Sequence, residues 1–497
     1  MNRDTDVLIA GYGPVGATAA ALLANAGLDV TIVEQEKSYH PLPRAAAVDD
    51  DAIRVWETVA GLGDRATADL ITNPEVTYET TGDRVFARVE PALAQTPSGY
   101  PAIALFHQPT LEAELRRTAE NFENLTALNG TKLTGFTQDA EGVTVTLTDA
   151  ASGEERTMRA GWLLGCDGAT STVRKEIGSE FGGSTFRQRW IVTDLILGEK
   201  ETGTSRIRFL CDPARPAVTM PMPSGRRRWE FMLFDGEGDE MIAEGPLGEM
   251  LREAGQAPGY SDERTTIYTF HARMASKWSD GRVFLVGDSA HVTPPFAGQG
   301  MNSGVRDAGN IWWKIAAVER GAAEQVLLDS YVLERRRHVK DMIDLAVRLG
   351  AIVQTTRPAI ARLRDAFFAV LLKLPGMKPW FTRMGWKPAT LIRKGFLQGG
   401  ARSPRSAVGT QVPALDVTMA DGSRGKLDDR VGPRFALLST QADPWDGVEP
   451  GLRGMAEKFG VEVIGAGAEP AVGEWLREIG ASTALVRPDR FVYGTWK

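Results

Sequence analysis

The 497-residue sequence predicts an α/β fold in which a parallel-sheet domain carries an inserted antiparallel sheet and is followed by a small α/β domain. Three observations predict this architecture. A strand, a glycine-rich turn and a helix follow one another at the N-terminus, strand patterns fill about 185–275, and a polar stretch begins at Gly399. Because the strand–turn–helix pattern returns near 282–320, we expect the first domain to be discontinuous.

The middle region shows half-buried strand patterns at 190–197, 204–210, 229–234 and 265–271. Such strands favour an antiparallel sheet that closes a ligand cavity. We therefore expect a first domain of residues 1–184 and 276–395 with a helical extension, an inserted sheet domain of residues 185–275, and a C-terminal domain of residues 400–497. Strands within 70–110 are expected to contribute to the same cavity.

The C-terminal part follows a βαβαββ order, with strands at 435–439 and 461–464, helices near 450–458 and 471–479, and a hairpin around 487–490. This order is similar in outline to thioredoxin. The segment has no CxxC pair, so it cannot perform dithiol chemistry. The polar stretch before it, from Gly399 to Ser406, is expected to be a linker.

Composition excludes several classes of function. The chain has 57 Lys and Arg against 64 Asp and Glu, a net charge of −7, and therefore lacks the basic balance of a nucleic-acid-binding protein. Its two cysteines, Cys166 and Cys211, lie far apart, and its five histidines show no metal-ligand spacing. We expect no disulfide framework, no metal and no nucleic-acid partner.

The N-terminus lacks the pattern of an export signal, and the apolar run at 367–372 is much shorter than the roughly 20 residues of a membrane span. We expect a cytoplasmic protein without a membrane partner. The stretch 358–395 mixes aromatic and basic residues and could lie on a membrane surface. The interpretation we favour is that it packs on the first domain or in a dimer interface.

The strongest motif is a glycine-rich turn between the apolar strand 7–10 and an alanine-rich helix at 17–26. Its first glycine permits a tight turn, its second lets the backbone approach a pyrophosphate, and its third allows helix and strand to pack closely. The helix N-terminus would bind the phosphates, and an acid after the next strand would accept from a ribose hydroxyl. This Rossmann-like pattern assigns to a dinucleotide, NAD or FAD, the residues Gly11, Gly13, Pro14, Val15, Gly16, Glu34 and Gln35.

A second motif, Gly287-Asp288, ends a buried strand and precedes a glycine loop that opens a helix at about 300. The carboxylate can accept from ribitol or ribose hydroxyls, and the helix N-terminus suits the anionic N1–C2=O edge of a reduced flavin. This arrangement favours FAD. A third motif, Asp167-Gly168, places another acid on a glycine turn. The residues assigned to the flavin are Asp167, Gly168, Asp288, Gly298, Gly300, Met301 and Asn302.

These three ordered motifs resemble those of class A flavoprotein monooxygenases with the p-hydroxybenzoate hydroxylase fold. The resemblance covers roughly residues 1–395, and Arg44 and Gln108 fall where the family has flavin-contacting residues. Segments 44–51, 108–109 and 228–233 look most like 3-(3-hydroxyphenyl)propionate hydroxylases and related phenol hydroxylases. The C-terminal part resembles that of the larger phenol and polyketide hydroxylases.

The resemblance implies that NAD(P)H, NADH or NADPH, reduces FAD, that O2 adds to give a flavin C4a-hydroperoxide, and that one oxygen atom passes to a phenolic substrate. It implies a catalytic role for Pro294 and Pro295 beside the flavin, although a rigid turn would also explain this pair. Hydroxylation of a larger polycyclic aromatic and an FAD-dependent reductase that does not activate oxygen remain alternatives. Both a monomer and a homodimer are compatible with the sequence.

Three further features have mainly structural interpretations. His291 is close to Asp288, but we favour a structural role for its imidazole. The run Arg226-Arg227-Arg228 is interpreted as a solvated hairpin, with binding of NAD(P)H phosphates or an anionic substrate as the alternative. Trp312 and Trp313 are expected in the core.

Overall fold

A computed structural model describes residues 3–38, 45–59, 62–198 and 205–497. It confirms the α/β class predicted from the sequence. Two large sheets face a common interior, helices cover their outer sides, and a small sheet with its own helices follows at the C-terminus. No helix in the described ranges combines the length and the apolar character needed to cross a bilayer.

The first sheet is parallel at its centre. Its strands lie in the order Ser279–Asp280, Val283–Leu285, Glu155–Gly165, Thr5–Ala10, Val30–Glu34 and Leu125–Asn129. The hairpin Thr131–Gln138 and Val143–Asp149 pairs with the beginning of Glu155–Gly165. Because the three central strands are neighbours and parallel, the motifs that follow them meet at one edge of the sheet.

The second sheet is almost entirely antiparallel. Its strands lie in the order His291–Val292, Ser261–Ala275, Phe181–Ile196, Arg226–Met232, Ala217–Met222, Ile207–Leu210, Val76–Thr80 and Arg84–Val89. Strands Ile207–Leu210 and Val76–Thr80 are parallel, in contrast to the antiparallel expectation. The two long central strands extend well beyond the predicted 190–197 and 265–271, because their outer parts continue the pairing along exposed polar sequence.

Helices surround the sheets. The α-helices are Pro14–Asn25, Asp50–Glu57, Gly63–Ala66, Gln108–Glu120, Thr172–Glu176, Glu244–Glu253, Gly300–Glu319, Ser330–Val353, Pro358–Leu371, Met377–Thr382, Leu427–Val431, Pro450–Phe459 and Pro470–Glu478. Short 3-10 turns are Pro91–Leu93, Asp239–Ile242, Gly287–Ser289, Pro295–Ala297 and Gln325–Asp329, and a small sheet joins Ala47–Val48, Ala104–Leu105 and Ile71–Thr72. The alanine-rich helix Pro14–Asn25 is buried between Gly300–Glu319 and Gln108–Glu120, as its small side chains permit.

The C-terminal sheet has the strand order Val461–Gly465, Phe435–Ser439, Thr483–Val486 and Val492–Trp496, with only the first pair parallel. A short hairpin of Asp416–Thr418 and Arg424–Lys426 precedes it. The expected linker, Gly399 to Ser406, is itself mostly exposed, but the residues on either side of it are packed: Leu397 and Val408 are buried, and the Gly409 N–H donates to the Val492 carbonyl oxygen. The apolar residues that flank the polar stretch therefore hold its two ends on the protein.

The C-terminal domain is docked on the first domain through buried contacts. Trp312 and Trp313 are in the core, as predicted, and pack against Phe459 and Phe435 of the C-terminal sheet and its helix. The Arg54 guanidinium makes two bonds of 2.8 and 2.9 Å to the Asp428 carboxylate. Glu334 similarly accepts from Arg487 and Lys314, with every bond between 2.8 and 2.9 Å. These pairs are buried on both sides, so the two domains form a desolvated interface.

Candidate active site

A cavity of about 850 Å³ runs from the carboxyl edge of the first sheet to the second sheet. It brings together residues that the sequence assigned separately. The predicted site residues that line it are Gly11, Gly13, Pro14, Val15, Gly16, Glu34, Gln35, Gln108, Asp167, Gly168, Asp288, Pro295, Gly298, Gly300, Met301 and Asn302. Arg44 lies outside the described residues.

Each glycine of the turn at the sheet edge is required for a different physical reason. Gly11 has a φ of +99°, and a Cβ there would lie 2.4 Å from the carbonyl oxygen of Cys166. A Cβ on Gly16 would lie 2.0 Å from the carbonyl oxygen of Gly11. A Cβ on Gly13 would meet no protein atom within 4 Å. Gly11 and Gly16 are therefore required by the fold, whereas the free space at Gly13 belongs to the cavity.

Two helices begin at this cavity. Gly13 is the N-cap of Pro14–Asn25 and Gln299 is the N-cap of Gly300–Glu319, and neither helix start receives a side-chain cap from any described residue. The first N–H groups of a helix have no intrahelical acceptor and carry the positive end of its dipole. The cavity therefore presents two separate positions that favour an anionic group.

The three predicted acids are in different environments. The Glu34 carboxylate accepts from the Tyr12 N–H at 2.8 Å and so fixes the glycine turn to the neighbouring strand. The Asp167 carboxylate accepts from the Thr172 N–H at 2.7 Å, inside its own turn, and burial raises its pKa. Asp288 is exposed at the cavity wall. Asp288 is thus the acid best placed to meet a ligand hydroxyl.

Gln108 and Asn302 connect neighbouring loops. The Gln108 side-chain oxygen accepts from the Ala45 N–H at 2.6 Å, directly after the segment that contains Arg44. The Asn302 amide donates to the carbonyl oxygens of Gly298 and Ala47, and its oxygen accepts from the Asp49 N–H. Both side chains line the cavity and at the same time hold its walls in place.

The two predicted prolines occupy different positions. Pro295 is exposed, lines the cavity and begins the 3-10 turn Pro295–Ala297. Pro294 is buried behind it and is absent from the cavity wall formed by the described residues. The structure therefore brings Pro295, but not the side chain of Pro294, to the other predicted site residues.

The end of the cavity under the second sheet is mainly apolar and aromatic. Tyr78 and Phe209 stack with ring centroids 4.9 Å apart, and Met220 lies on the same wall. Burial raises the pKa of Tyr78, so its hydroxyl stays protonated. Tyr78 lines the cavity that a ligand would enter. The cavity-lining residues of this sheet could not be named from the sequence.

The arginine run corrects a sequence prediction, because two of its three members are not solvated. Arg227 and Arg228 are buried, and Arg228 lines the cavity. The Arg228 guanidinium bonds at 2.7 and 3.0 Å to Asp194, which lies opposite it on the adjacent strand. Burial alone would lower the pKa of Arg228, but Asp194 raises it. The cross-strand partner explains how a charge that looked exposed in the sequence lies inside the protein.

A buried charged cluster supports the loop at 298–302. Asp49 bonds to Arg306 at 2.8 Å and to Lys387 at 3.1 Å, and it accepts from Gln299. Burial alone would raise the pKa of Asp49, but these two cations hold it well below its usual range. Burial and the neighbouring Asp51 raise the pKa of Asp50 to about 7. Because Arg306 and Lys387 already bind the Asp49 carboxylate, we assign no metal to the group at 49–51.

One supporting residue, Arg174, was missed by the sequence analysis, whereas the structural role of His291 was expected. Arg174 donates to the carbonyl oxygens of Ser289 and Ala169 at 2.9 and 2.7 Å, and so ties two of the glycine motifs together. His291 is fully buried and its Nε2 lies 2.6 Å from Asp307, which agrees with the favoured structural role. Arg174 lies six positions after Gly168, and this proximity was the one signal available in the sequence.

Comparison with known proteins identifies the family. The model of the FAD binding domain family matches residues 4–346, and that of the HcaD C-terminal domain matches residues 409–497. The 3-(3-hydroxy-phenyl)propionate/3-hydroxycinnamic acid hydroxylase of Burkholderia cenocepacia is 34% identical, over 99% of this chain and 94% of its own length. The enzyme of the same name from Comamonas testosteroni is 33% identical, over 98% of this chain and 94% of its own length. The chain belongs to this family of FAD-dependent aromatic hydroxylases.

A solved structure is similar to this chain over nearly its whole length. A ternary complex of aklavinone-11 hydroxylase with FAD and aklavinone has a TM-score of 0.80, 26% identity, and covers 99% of this chain and 96% of its own. Membership of the family makes FAD the cofactor of the protein. The family resemblance seen in the sequence is thereby confirmed, including the C-terminal part.

The residues present fit FAD. The pyrophosphate is anionic, and the uncapped helix start after Gly13 offers N–H groups beside space that a side chain would fill. The second uncapped helix start, at Gly300, suits the N1–C2=O edge of the flavin. Asp288 offers a carboxylate to the ribitol or ribose hydroxyls. The cavity continues past these groups, so bound FAD would leave its other end for a substrate.

Proposed function

We propose that the protein hydroxylates a phenol with an acidic side chain, of the 3-(3-hydroxyphenyl)propionate type, using NAD(P)H and O2. The names of the two hydroxylases from Burkholderia cenocepacia and Comamonas testosteroni support this substrate class. The observation that carries the proposal is the single cavity that joins the FAD-binding edge to an aromatic chamber with a buried guanidinium, that of Arg228, on its wall.

When bound, FAD accepts a hydride from NAD(P)H and activates O2. The overall reaction converts the phenol, O2, NAD(P)H and a proton into a catechol-type product, NAD(P)+ and water. The chain binds, orients and shields the reactants. We assign the pyrophosphate to the turn at Gly13, the ribitol to Asp288, and the flavin edge to the helix start at Gly300.

The aromatic end of the cavity supports a small phenol as the substrate. Tyr78, Phe209 and Met220 offer apolar and aromatic surface to a ring, and aromatic pairs contribute about 0.5–1.5 kcal/mol beyond area burial. The protonated Tyr78 hydroxyl can donate to a substrate oxygen. The Arg228 guanidinium is the cation that we assign to the carboxylate, since charge-assisted bonds to carboxylates are the stronger ones.

The test combines stopped-flow flavin reduction with oxygen uptake. With 3-(3-hydroxyphenyl)propionate we expect faster flavin reduction by NADH or NADPH and O2 consumption that matches hydroxylated product. If 3-(3-hydroxyphenyl)propionate changes neither the rate of flavin reduction nor the rate of O2 consumption, the substrate has a different ring or side chain. Fast reduction without any oxygenated product, for every phenol tried, would overturn the monooxygenase assignment in favour of a reductase.

The carboxylate assignment is tested with a matched pair of ligands. In the double variant Arg228→Gln, Asp194→Asn both charges are removed together, so no buried charge is left without a partner. The KM for 3-(3-hydroxyphenyl)propionate should rise roughly 10- to 100-fold, which corresponds to one lost charge-assisted bond of about 1.5–3 kcal/mol. The KM for 3-ethylphenol, which lacks the carboxylate, should stay the same. Equal rises for both ligands would show that Arg228 only supports the fold.

A second candidate is the hydroxylation of a larger polycyclic phenol. The aklavinone-11 hydroxylase structure favours it, because the match includes the C-terminal domain and its bound ligand is polycyclic. The same assay with aklavinone distinguishes the two candidates. Stimulation of reduction and coupled O2 uptake by aklavinone alone would favour the polycyclic substrate.

A further inference from the structure

Helix Pro358–Leu371 and the turn after it expose a row of large apolar side chains. They are 47% to 70% exposed and comprise Ile360, Leu363, Phe367, Val370 and Leu374. Their alternating spacing of three and four residues places them on one face. Trp380, in the next helix, is also 45% exposed. A helix on the surface of a globular protein normally exposes its polar face, whereas this helix exposes an apolar one.

The inner face of the same helix is firmly attached. Phe368 is buried and packs on Phe86 and Phe381, with ring centroids 5.3 and 5.7 Å away. Arg364 is also buried and donates to the Cys211 carbonyl oxygen at 3.0 Å. The helix therefore cannot rotate to hide the outer row without losing these contacts. The exposed apolar face is a stable feature of the surface.

The row is flanked by positive charge. Five basic residues between 357 and 383 are exposed, namely Arg357, Arg362, Lys373, Lys378 and Arg383. The sequence has one acid in that range, Asp365, and its carboxylate is buried and bonded to Arg364 and Arg84. The surface therefore combines an apolar centre with a basic rim.

Charge decides which partner this surface fits. A two-fold contact between copies would use the same patch on both subunits and would bring two basic rims together. Like charges across an interface are unfavourable. An amphipathic helix with large apolar residues on one side and Lys or Arg beside them instead matches the boundary between lipid headgroups and acyl chains, where anionic lipids attract the cations.

We propose that the surface of residues 357–383 binds an anionic lipid bilayer, with helix Pro358–Leu371 lying parallel to the membrane plane. Leu363, Phe367 and Val370 enter the acyl boundary, and the basic residues contact anionic headgroups. This contact is peripheral and is independent of which phenol the enzyme hydroxylates.

The test is co-sedimentation of the full-length FAD-loaded protein with vesicles. We expect binding to phosphatidylglycerol–phosphatidylcholine vesicles, weaker binding at high salt, and little binding to pure phosphatidylcholine. Each cation replaced by glutamine should lower the partition coefficient roughly fivefold, so the triple variant of Arg362, Lys373 and Lys378 should lose roughly a hundredfold. Leu363→Ser with Phe367→Ser should lose on the order of tenfold or more.

Val326→Ser is the matched control, because Val326 is 68% exposed in a turn far along the chain from this helix. It should bind vesicles like the wild type, and all variants should keep their flavin absorbance. No sedimentation with anionic vesicles, or equal sedimentation of the wild type and the triple glutamine variant, overturns the proposal. A lipid-free dimer that Phe367→Ser converts to monomer overturns it too, since the face would then be a self-interface.

Discussion

Replacing Gly13 with alanine separates the needs of the fold from those of the cofactor. Gly13 has φ −72° and ψ −177°, which alanine adopts without strain, and the new methyl group would meet no protein atom within 4 Å. The free energy of unfolding of the apoprotein should therefore change by no more than about 0.5 kcal/mol. The methyl group instead enters the space that we assign to the FAD pyrophosphate.

The expected loss of FAD affinity follows from the hydrogen bonds at stake. A bond from a helix N–H to a phosphate is charge-assisted and contributes about 1.5–3 kcal/mol. Displacing the phosphate by the width of a methyl group would remove at least one such bond, so the Kd for FAD should rise roughly 10- to 100-fold. Gly16→Ala should behave differently, because its methyl group would collide with the Gly11 carbonyl oxygen at 2.0 Å and destabilise the fold itself.

The assay is a fluorescence titration of apoprotein with FAD, run beside urea unfolding of the same samples. Gly245→Ala is the control, since a Cβ at Gly245 also meets nothing within 4 Å but lies in helix Glu244–Glu253, away from the cavity wall. It should leave the Kd unchanged. A folded Gly13→Ala protein whose Kd for FAD stays within threefold of the wild type would refute the assignment of the pyrophosphate to this turn.

Three further predictions follow from other parts of the structure. Pro295→Ser should loosen a turn that lines the cavity and lower the ratio of hydroxylated product to NAD(P)H consumed; an unchanged ratio would favour a purely structural turn. Arg54→Ala should lower the free energy of unfolding, measured by urea titration, by about 3 kcal/mol, because the buried Asp428 carboxylate then has one cation fewer. A loss below about 1 kcal/mol would contradict a desolvated interface. Burial and Asp51 raise the folded-state pKa of Asp50 to about 7, above its unfolded value, so the free energy of unfolding of the wild type should fall as pH rises from about 4 to about 7. The variant Asp50→Asn should not show this fall, and parallel plots of unfolding free energy against pH for the two proteins would contradict the prediction.

The sequence predicted the cofactor edge well because its signals are local. Gly11, Asp167 and Asp288 each come at the end of an apolar strand. Because these strands are parallel neighbours in one sheet, their carboxyl ends lie at the same edge. Turn, strand and helix start can all be recognised within about twenty residues, so position along the chain was enough to assign these residues to one cavity.

The other end of the cavity could not be predicted because its contacts are between distant segments. Tyr78 and Phe209 stack across two strands separated by more than a hundred residues, and their pairing is parallel where the pattern suggested antiparallel. Arg228 looked solvated because its partner, Asp194, lies on another strand. In both cases the side-chain type was visible in the sequence, but the neighbour that determines its environment was not.

The buried ion pairs connect the C-terminal domain to the flavin loop through one short helix. Helix Asp50–Glu57 carries Arg54, which is held by Asp428, and begins at Asp49, which binds Arg306 and accepts from Gln299 at the loop. Loss of the ion pair at either end of the helix would leave a buried charge without its partner. Displacing the helix from the C-terminal domain or from the cofactor loop is therefore energetically unfavourable. The C-terminal domain lacks the cysteines for redox chemistry, and its docking instead fixes the helix against which the cofactor loop is built.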